Sequence, residues 1–191
     1  LLVQAFWPGP LTLVLPKNKN LVSDMITAGM DSVGIRMPRH PVALELIKKV
    51  GSPLAAPSAN KFTKVSPSRS EHLQGIFPEQ DVFVLEGGEC EVGIESTILS
   101  LLNDKISILR PGLITKTDIE KVLGKKLFEQ VGAEKVVAPG SHHTHYRPDF
   151  PLYFGSGPCP SEHYELRLIN TKPELAAREL YALLRKPIAP A

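Results

Sequence analysis

The chain has 191 residues, and its 22 lysines and arginines nearly balance 20 aspartates and glutamates, leaving a formal net charge of +2 at pH 7. This balance argues against a protein that coats nucleic acid. No apolar run approaches the roughly 20 residues that span a membrane. Two cysteines, Cys90 and Cys159, are too few for a disulfide scaffold. We therefore expect a cytoplasmic protein from a reducing compartment.

The first fifty residues predict three helical segments and two buried strands. The predicted elements are the end of a helix over 1–7, strands over 11–15 and 32–36 with a short helix between them, and a helix over 41–50. Pro8 stops the first helix, whereas Pro41 suits the first turn of the last one and Gly51 ends it. Nothing caps the start of the first helix, so we expect the chain to begin within a domain.

The following residues predict further strands and two more helices. The predicted elements are strands over 53–57 and 82–85, a helix over 72–77 started by Ser66 or by a Ser68/Glu71 capping box, an antiparallel hairpin of 96–101 with 106–110, and a helix over 117–124 capped by Thr117 and Glu120. Strands alternate with helices but include a hairpin. This pattern predicts an α/β domain on a mixed sheet.

The composition changes after Val137 to an aperiodic stretch flanked by prolines, which is typical of a linker. We expect a catalytic domain over 1–138, a linker over 139–150 and a partial C-terminal domain over 151–191. Within the last, we expect strands over 152–154 and 166–169 and an amphipathic helix over 173–185, with Ala176, Leu180, Leu183 and Leu184 on its apolar face.

Several predicted strands end in a polar residue close to a proline, as at Arg36, Ser58, Asn60 and Arg110. Ligands of α/β proteins bind outside the carboxyl ends of strands, so we expect these ends to wall one cleft. A guanidinium matches a carboxylate or a phosphate, and two arginines suggest an anionic ligand. Arginines that simply pair with surface carboxylates are the competing explanation.

Other polar residues allow two interpretations each. Ser66 and Ser68 could donate to a phosphate or only cap turns. Ser96 and Thr97 alternate along a strand, so only one of them can face a ligand. Tyr146 could close over a nucleotide or pack on the domain surface.

A metal site is not expected from the histidine-rich stretch. His142, His143 and His145, even with Cys159 and His163, lack the spacing of a closed structural zinc site. A linker flanked by proline also presents ligands poorly.

Five segments, taken in order, resemble the motifs of the YrdC-like threonylcarbamoyl-AMP synthases. They are residues 6–12 (FWPGPLT), 33–38 (VGIRMP), 56–60 (APSAN), 95–98 (ESTI) and 109–112 (LRPG). The resemblance covers roughly residues 1–148, and the linker ending at Pro148 resembles that of the longer, two-domain members. It implies a YrdC-like twisted mixed sheet with flanking helices, followed by a linker and a small α/β C-terminal remnant.

The resemblance implies a nucleotidyltransferase that makes L-threonylcarbamoyladenylate from L-threonine, bicarbonate and ATP, with Mg²⁺, and releases pyrophosphate. The product would pass to the tRNA threonylcarbamoyl-transferase machinery for the t6A modification of adenosine 37. Weak or no direct binding of tRNA, and no contact with a membrane, are expected.

The resemblance also implies site residues, although no catalytic side chain is identified. Those implied for L-threonine are Arg36, Ala56 and Ser96; those implied for ATP are Ser32, Ser58, Asn60, Ser66, Arg110 and Tyr146. The family's N-terminal part, with its Lys-x-Arg motif, is not in this chain. We therefore expect this chain to be an N-terminally truncated form that is inactive on its own.

Two other functions stay open. A non-catalytic YrdC-like module would bind a nucleotide or RNA, and its RNA binding would fall steeply with salt. Carbamoyl transfer of the hydrogenase-maturation type shares this fold, but its acylphosphatase and zinc-finger modules are absent from this chain.

Overall fold

The computed structural model describes residues 1–78, 81–102, 105–127, 148 and 172–185. The chain divides into two compact units: the first comprises Leu1–Pro57 with Glu95–Ser141, and the second comprises Ser58–Ile94 with His142–Ala191. Among the described residues, no helix combines the length and apolar character needed to cross a bilayer. Apart from Pro148, the predicted linker lies outside the described residues, as do the predicted strands over 152–154 and 166–169.

The first unit holds most of the regular structure. Its elements are α1 (Leu2–Phe6), β1 (Leu11–Pro16), α2 (Asp24–Thr27), β2 (Ser32–Ile35), α3 (Pro41–Val50), β3 (Thr97–Ser100), β4 (Ser107–Arg110) and α4 (Lys116–Leu123). The predicted strands over 11–15 and 32–36, the predicted hairpin and the predicted helix over 41–50 are confirmed.

The four strands form one mixed sheet in the order β2-β1-β3-β4. β1 pairs antiparallel with β2 and parallel with β3, and β3 pairs antiparallel with β4. The mixed α/β fold predicted from the sequence is confirmed. Because of these directions, the carboxyl ends of β2 and β4 meet the amino ends of β1 and β3 at one end of the sheet.

One face of this sheet carries the main hydrophobic core. Leu11, Leu13 and Leu99 project from β1 and β3 into a cluster with Leu2 of α1 and Ile119 of α4. Leu11, Leu99 and Ile119 have no exposed surface. Since side chains alternate along a strand, Thr12 and Val14 lie on the opposite face, where Val14 packs with Ile98.

The N-cap of helix α4 lies two residues before the predicted one. Thr115, rather than Thr117, is the N-cap, and its hydroxyl accepts from the backbone N–H of Asp118 while the Asp118 carboxylate accepts from the backbone N–H of Thr115. The Glu120 carboxylate, the predicted partner of Thr117, instead accepts from the N–H of Leu127 over 2.8 Å. The predicted Thr117/Glu120 box is wrong, whereas the stop at Gly124 is confirmed.

Two predicted strands are not strands. Residues 53–57 and 82–85 are exposed and pair with no strand in the described parts of the chain. Pro53 and Pro57 lack the N–H that a ladder requires. The apolar run over 82–85 exposes all four side chains, with Phe83 87% exposed, so sequence preference alone did not form a ladder.

In place of the predicted helix over 72–77, the structure has a shorter helix that begins two residues earlier. A 3-10 helix spans Ser70–Leu73, and its N-cap, Arg69, makes no side-chain capping bond. Neither Ser66 nor the Ser68/Glu71 pair caps it. The backbone N–H of Ser68 instead donates to Nδ1 of His72 over 3.2 Å.

In the second unit, helix α5 (Pro173–Leu183) packs on the segment around Val65. The helix itself confirms the prediction over 173–185, but its buried stripe is Ala177, Tyr181 and Leu184. Ala176 and Leu183 are only half-buried. The buried positions follow the i, i+4, i+7 spacing of one helix face, so the predicted face was off by one position.

Candidate functional site

A polar cluster lies at the end of the sheet where β2 and β4 finish, on the face opposite the main core. The Oγ1 of Thr12 and the Oγ of Ser96 are hydrogen-bonded over 2.7 Å. Thr12 is the second residue of β1, and Ser96 immediately precedes β3. The parallel pairing of β1 with β3 places these hydroxyls side by side. Ser96 is buried, with 4% of its surface exposed.

Arg110, the last residue of β4, is fastened to the same serine. Its Nε and Nη2 donate to the Ser96 carbonyl oxygen over 3.1 and 2.9 Å, and Nη2 also donates to Ser96 Oγ over 3.2 Å. Bonds from a charged donor are about twice as strong as neutral ones. The guanidinium is therefore oriented before any ligand arrives.

Arg36 brings a second positive charge to this end of the sheet. It follows β2 directly, and its pKa is lowered first by desolvation and then by the positive charge of Arg110. No acidic side chain of the described residues forms an ion pair with Arg36. Two neighbouring cations repel each other, and an anion bound between them would relieve that repulsion.

Thr97 and Gly112 hold the backbone beneath the cluster. Thr97 is fully buried, and its hydroxyl donates to the carbonyl of Ile114 over 2.8 Å. A Cβ on Gly112 would lie 2.6 Å from the Thr97 nitrogen and 2.7 Å from the Glu95 oxygen. Only glycine allows this approach. The Thr97 hydroxyl is therefore bonded to the backbone, whereas the Ser96 hydroxyl belongs to the polar cluster.

The structure gathers only some of the residues predicted for the site. Arg36, Ser96 and Arg110 come together. Ser32 opens β2 opposite Pro16, four residues and about 13 Å along an extended strand from Arg36. Ala56 lies in the exposed segment over 53–57.

The predicted residues of the second unit form a separate loop. The Asn60 Nδ2 donates to the carbonyls of Lys61 and Lys64, each over 2.9 Å, which fixes the turn between them. Ser66 Oγ donates to Asn60 Oδ1 over 3.5 Å. Ser58 is exposed at the start of the loop, and Tyr146 lies outside the described residues.

Thr12 belongs to the polar cluster, although the sequence motifs did not single it out. It belongs to the FWPGPLT segment and alternates with the buried Leu11 and Leu13, so the signal was present. The carboxyl-end rule pointed to Arg36, Ser58, Asn60 and Arg110, and not to residues at the amino ends of strands. Because β2 and β4 run antiparallel to β1 and β3, the amino ends of β1 and β3 lie at the same end of the sheet as Arg36 and Arg110.

The cluster does not fit a resident magnesium ion. Mg²⁺ prefers carboxylate oxygens, whereas Thr12, Ser96, Arg36 and Arg110 offer hydroxyls and positive charges. Within the described ranges, no three His, Cys, Asp or Glu side chains form a group that could hold a metal. The histidines at 142, 143 and 145 lie outside those ranges.

Comparison with known proteins identifies the family. Residues 1–112 match the family model Sua5_yciO_yrdC, described as telomere recombination. The chain belongs to the Sua5/YciO/YrdC family. A threonylcarbamoyl-AMP synthase of Bacillus subtilis is 45% identical over 161 residues, which cover 82% of this chain and 46% of the relative. One of Pyrococcus abyssi is 41% identical over 162 residues, covering 83% of this chain and 47% of the relative.

A solved structure of a family member supports the fold. The crystal structure of P. abyssi Sua5 complexed with L-threonine aligns with a TM-score of 0.81 and 34% identity, covering 96% of this chain and 63% of that one. The YrdC-like fold expected from the motifs is thereby confirmed. This chain spans about half the length of the curated family members it matches.

Proposed function

We propose that this chain is part of a threonylcarbamoyl-AMP synthase, a nucleotidyltransferase that makes L-threonylcarbamoyladenylate from L-threonine, bicarbonate and ATP. The observation that carries the proposal is the cluster of Arg36, Arg110, Ser96 and Thr12, which offers two cations and two hydroxyls at one end of the sheet. The proposal is also supported by the relatives from B. subtilis and P. abyssi, which are named threonylcarbamoyl-AMP synthases.

The proposed reaction has two bond-forming steps. The amine of L-threonine forms a C–N bond with the carbon of bicarbonate, and water leaves. An oxygen of the resulting carbamate then forms a bond with the α-phosphorus of ATP, and the bond to pyrophosphate breaks. We assign no side-chain nucleophile, so catalysis rests on positioning the reactants and stabilising negative charge.

In this proposal, Arg36 binds the carboxylate of L-threonine. A guanidinium matches a carboxylate with two parallel hydrogen bonds, and Arg36 has no acidic partner among the described residues. Ser96 and Thr12 provide hydroxyls for the polar groups of the amino acid. Ala56 contributes a small side chain that leaves room for the substrate.

In the same proposal, Arg110 binds the phosphates of ATP. Its bonds to Ser96 join the residue proposed for the nucleotide to a residue proposed for threonine, so the two substrates would meet at this pair. Ser32, Ser58, Asn60, Ser66 and Tyr146 complete the proposed ATP set. Mg²⁺ enters the proposal only with ATP as a substrate complex, and no step is assigned to it.

The proposed product is a reactive mixed anhydride that needs a consumer. We assign that role to the tRNA threonylcarbamoyl-transferase machinery, with weak or no binding of tRNA by this chain. The near balance of charges is in keeping with that assignment. A cytoplasmic location belongs to the same proposal.

The proposal is tested by measuring pyrophosphate release from ATP by the full-length protein, with L-threonine and bicarbonate each present or omitted. L-Serine in place of L-threonine is the matched control for substrate recognition. Release that requires both L-threonine and bicarbonate is the expected result. ATP binding without release, or release that ignores threonine, would contradict the synthase and favour a non-catalytic nucleotide- or RNA-binding module.

A further inference from the structure

Helix α5 contacts the main chain next to the loop proposed to bind ATP. This helix lies beyond residues 1–112, the part that matches the family model. Arg185, just past its end, donates from Nε to the carbonyl of Ser66 over 3.3 Å and from Nη2 to the carbonyl of Val65. One guanidinium thus binds two consecutive carbonyls.

Apolar packing fixes the same junction. Val65 is 3% exposed and packs against Tyr181 and Leu184 of the C-terminal helix region, which are 5% and 9% exposed. Ile94 and Leu180 border this cluster. Because Val65 is buried and both its carbonyl and that of Ser66 accept from Arg185, the backbone at this point has little freedom to move.

Two further contacts hold the helix in place. A Cβ on Gly93 would come within 2.5 Å of the Arg178 carbonyl oxygen and 2.8 Å of that of Ala177, so the chain at Gly93 lies directly on the helix backbone. The Glu89 carboxylate accepts from Arg69 over 2.7 Å and from Arg178 over 2.9 Å. These contacts fasten the helix at residues 177 and 178, N-terminal to the residues that pack against Val65.

We propose that Arg185 is a positioning residue for the nucleotide: it holds the main chain at Val65 and Ser66 so that Ser66 and Asn60 are presented to ATP. The inference rests on the proposed ATP site. It assigns a role in that site to a residue of the C-terminal segment. The connection runs through Ser66 Oγ, which donates to Asn60 Oδ1, and through the Asn60 amide, which fixes the turn over 61–64.

The test compares the full-length protein with its Arg185→Ala, Arg185→Lys and Lys172→Ala variants. Lys172→Ala is the matched control, because Lys172 is an exposed cation at the start of the same helix and its side chain makes no capping bond. We expect Arg185→Ala to raise KM for ATP by at least about fivefold and to change KM for L-threonine less than about twofold. Arg185→Lys, which keeps the charge but loses the fork, should fall between wild type and Arg185→Ala.

Amide hydrogen exchange without nucleotide gives an independent measurement. Arg185→Ala should speed exchange over residues 60–68 and leave β1 unchanged, and Gly93→Ala, which pushes against the helix backbone, should do the same. Failure of the wild-type protein to bind ATP would contradict the proposed function, while exchange would still test the contact. Unchanged exchange, or equal changes in both KM values, overturns the inference.

Discussion

Arg110 and Ser96 form a fixed pair: two nitrogens of the guanidinium donate to the carbonyl oxygen of the serine, and one of them also donates to its hydroxyl. The pair joins the end of β4 to the start of β3. Thr12 extends it to β1 through the Ser96 hydroxyl. Three strands thus contribute to one polar network at one end of the sheet.

Arg110→Ala should weaken ATP binding by at least about tenfold, which corresponds to about 1.4 kcal/mol. The reason is the loss of a preoriented cation at the proposed phosphate position. Isothermal titration with ATP measures the change, and Arg110→Lys is the control that keeps the charge without the planar fork. Unchanged affinity in the alanine variant would remove Arg110 from the site.

Ser96→Ala should raise KM for L-threonine more than KM for ATP, since the hydroxyl faces the polar cluster while the carbonyl that orients Arg110 remains. It should also lower the free energy of unfolding by about 1–3 kcal/mol, because Thr12 Oγ1 and Arg110 Nη2 both lose a partner. Steady-state kinetics and urea unfolding measure the two effects. Thr12→Val is the companion variant, and a larger effect on KM for ATP in either variant would contradict the assignment.

Gly112→Ala should destabilise the first unit, because the added methyl would lie within 2.8 Å of three atoms of Glu95 and Thr97. Relief of such a clash costs about 1–3 kcal/mol. Gly34→Ala is the matched control, since its Cβ would meet only the Thr12 Cγ2 at 3.4 Å. Equal unfolding midpoints for the two variants in urea would show that residues 95–97 move aside.

Thr115→Ala should lower the free energy of unfolding by about 1 kcal/mol, because it removes the N-cap of α4. Thr117→Ala, two residues along the same helix, should have a smaller effect. Chemical denaturation of both variants decides between the cap observed in the structure and the one that the sequence pattern favours. A larger loss in Thr117→Ala would contradict the observed helix start.

The segment around Ser68 should lose stability as the pH falls. Burial, then Arg185 and Arg69, lower the pKa of His72 below its ordinary value of 6.5, while Glu71 and Glu89 oppose the shift. The unfolded chain therefore binds the proton more readily than the folded one. The contribution of neutral His72 to the free energy of unfolding is fully present above about pH 6.5, and it is lost as the pH falls through the lowered pKa.

His72→Gln removes the titrating group and should flatten this part of the pH profile. Thermal unfolding of wild type and variant between pH 7.5 and 5 measures it, with the pH range set around the ordinary histidine value. The Ser68 N–H donates to Nδ1 of His72, which accepts only in the neutral ring. Parallel profiles for the two proteins would show that His72 does not control this segment.

Much of the first unit was predictable, because its signals are local. Prolines at 8 and 41, glycines at 51 and 124, and short apolar runs set the helix ends and the strands of the sheet. The predicted strands over 53–57 and 82–85 failed for a different reason. A strand requires a neighbour as well as a suitable composition, and neither segment has one in the described chain.

Within the candidate site, the sequence by itself determined the residue types: two arginines, Ser96 and the glycine after Pro111, each inside a recognisable motif. Only the tertiary structure decided which of them meet. The mixed pairing of β1, β2, β3 and β4 brings Thr12 beside Ser96 and directs Arg110 onto it, while Ser32 stays at the far end of β2. Strand direction and register are long-range properties of the sheet, so motifs read in order along the chain could name the residues but not their contacts.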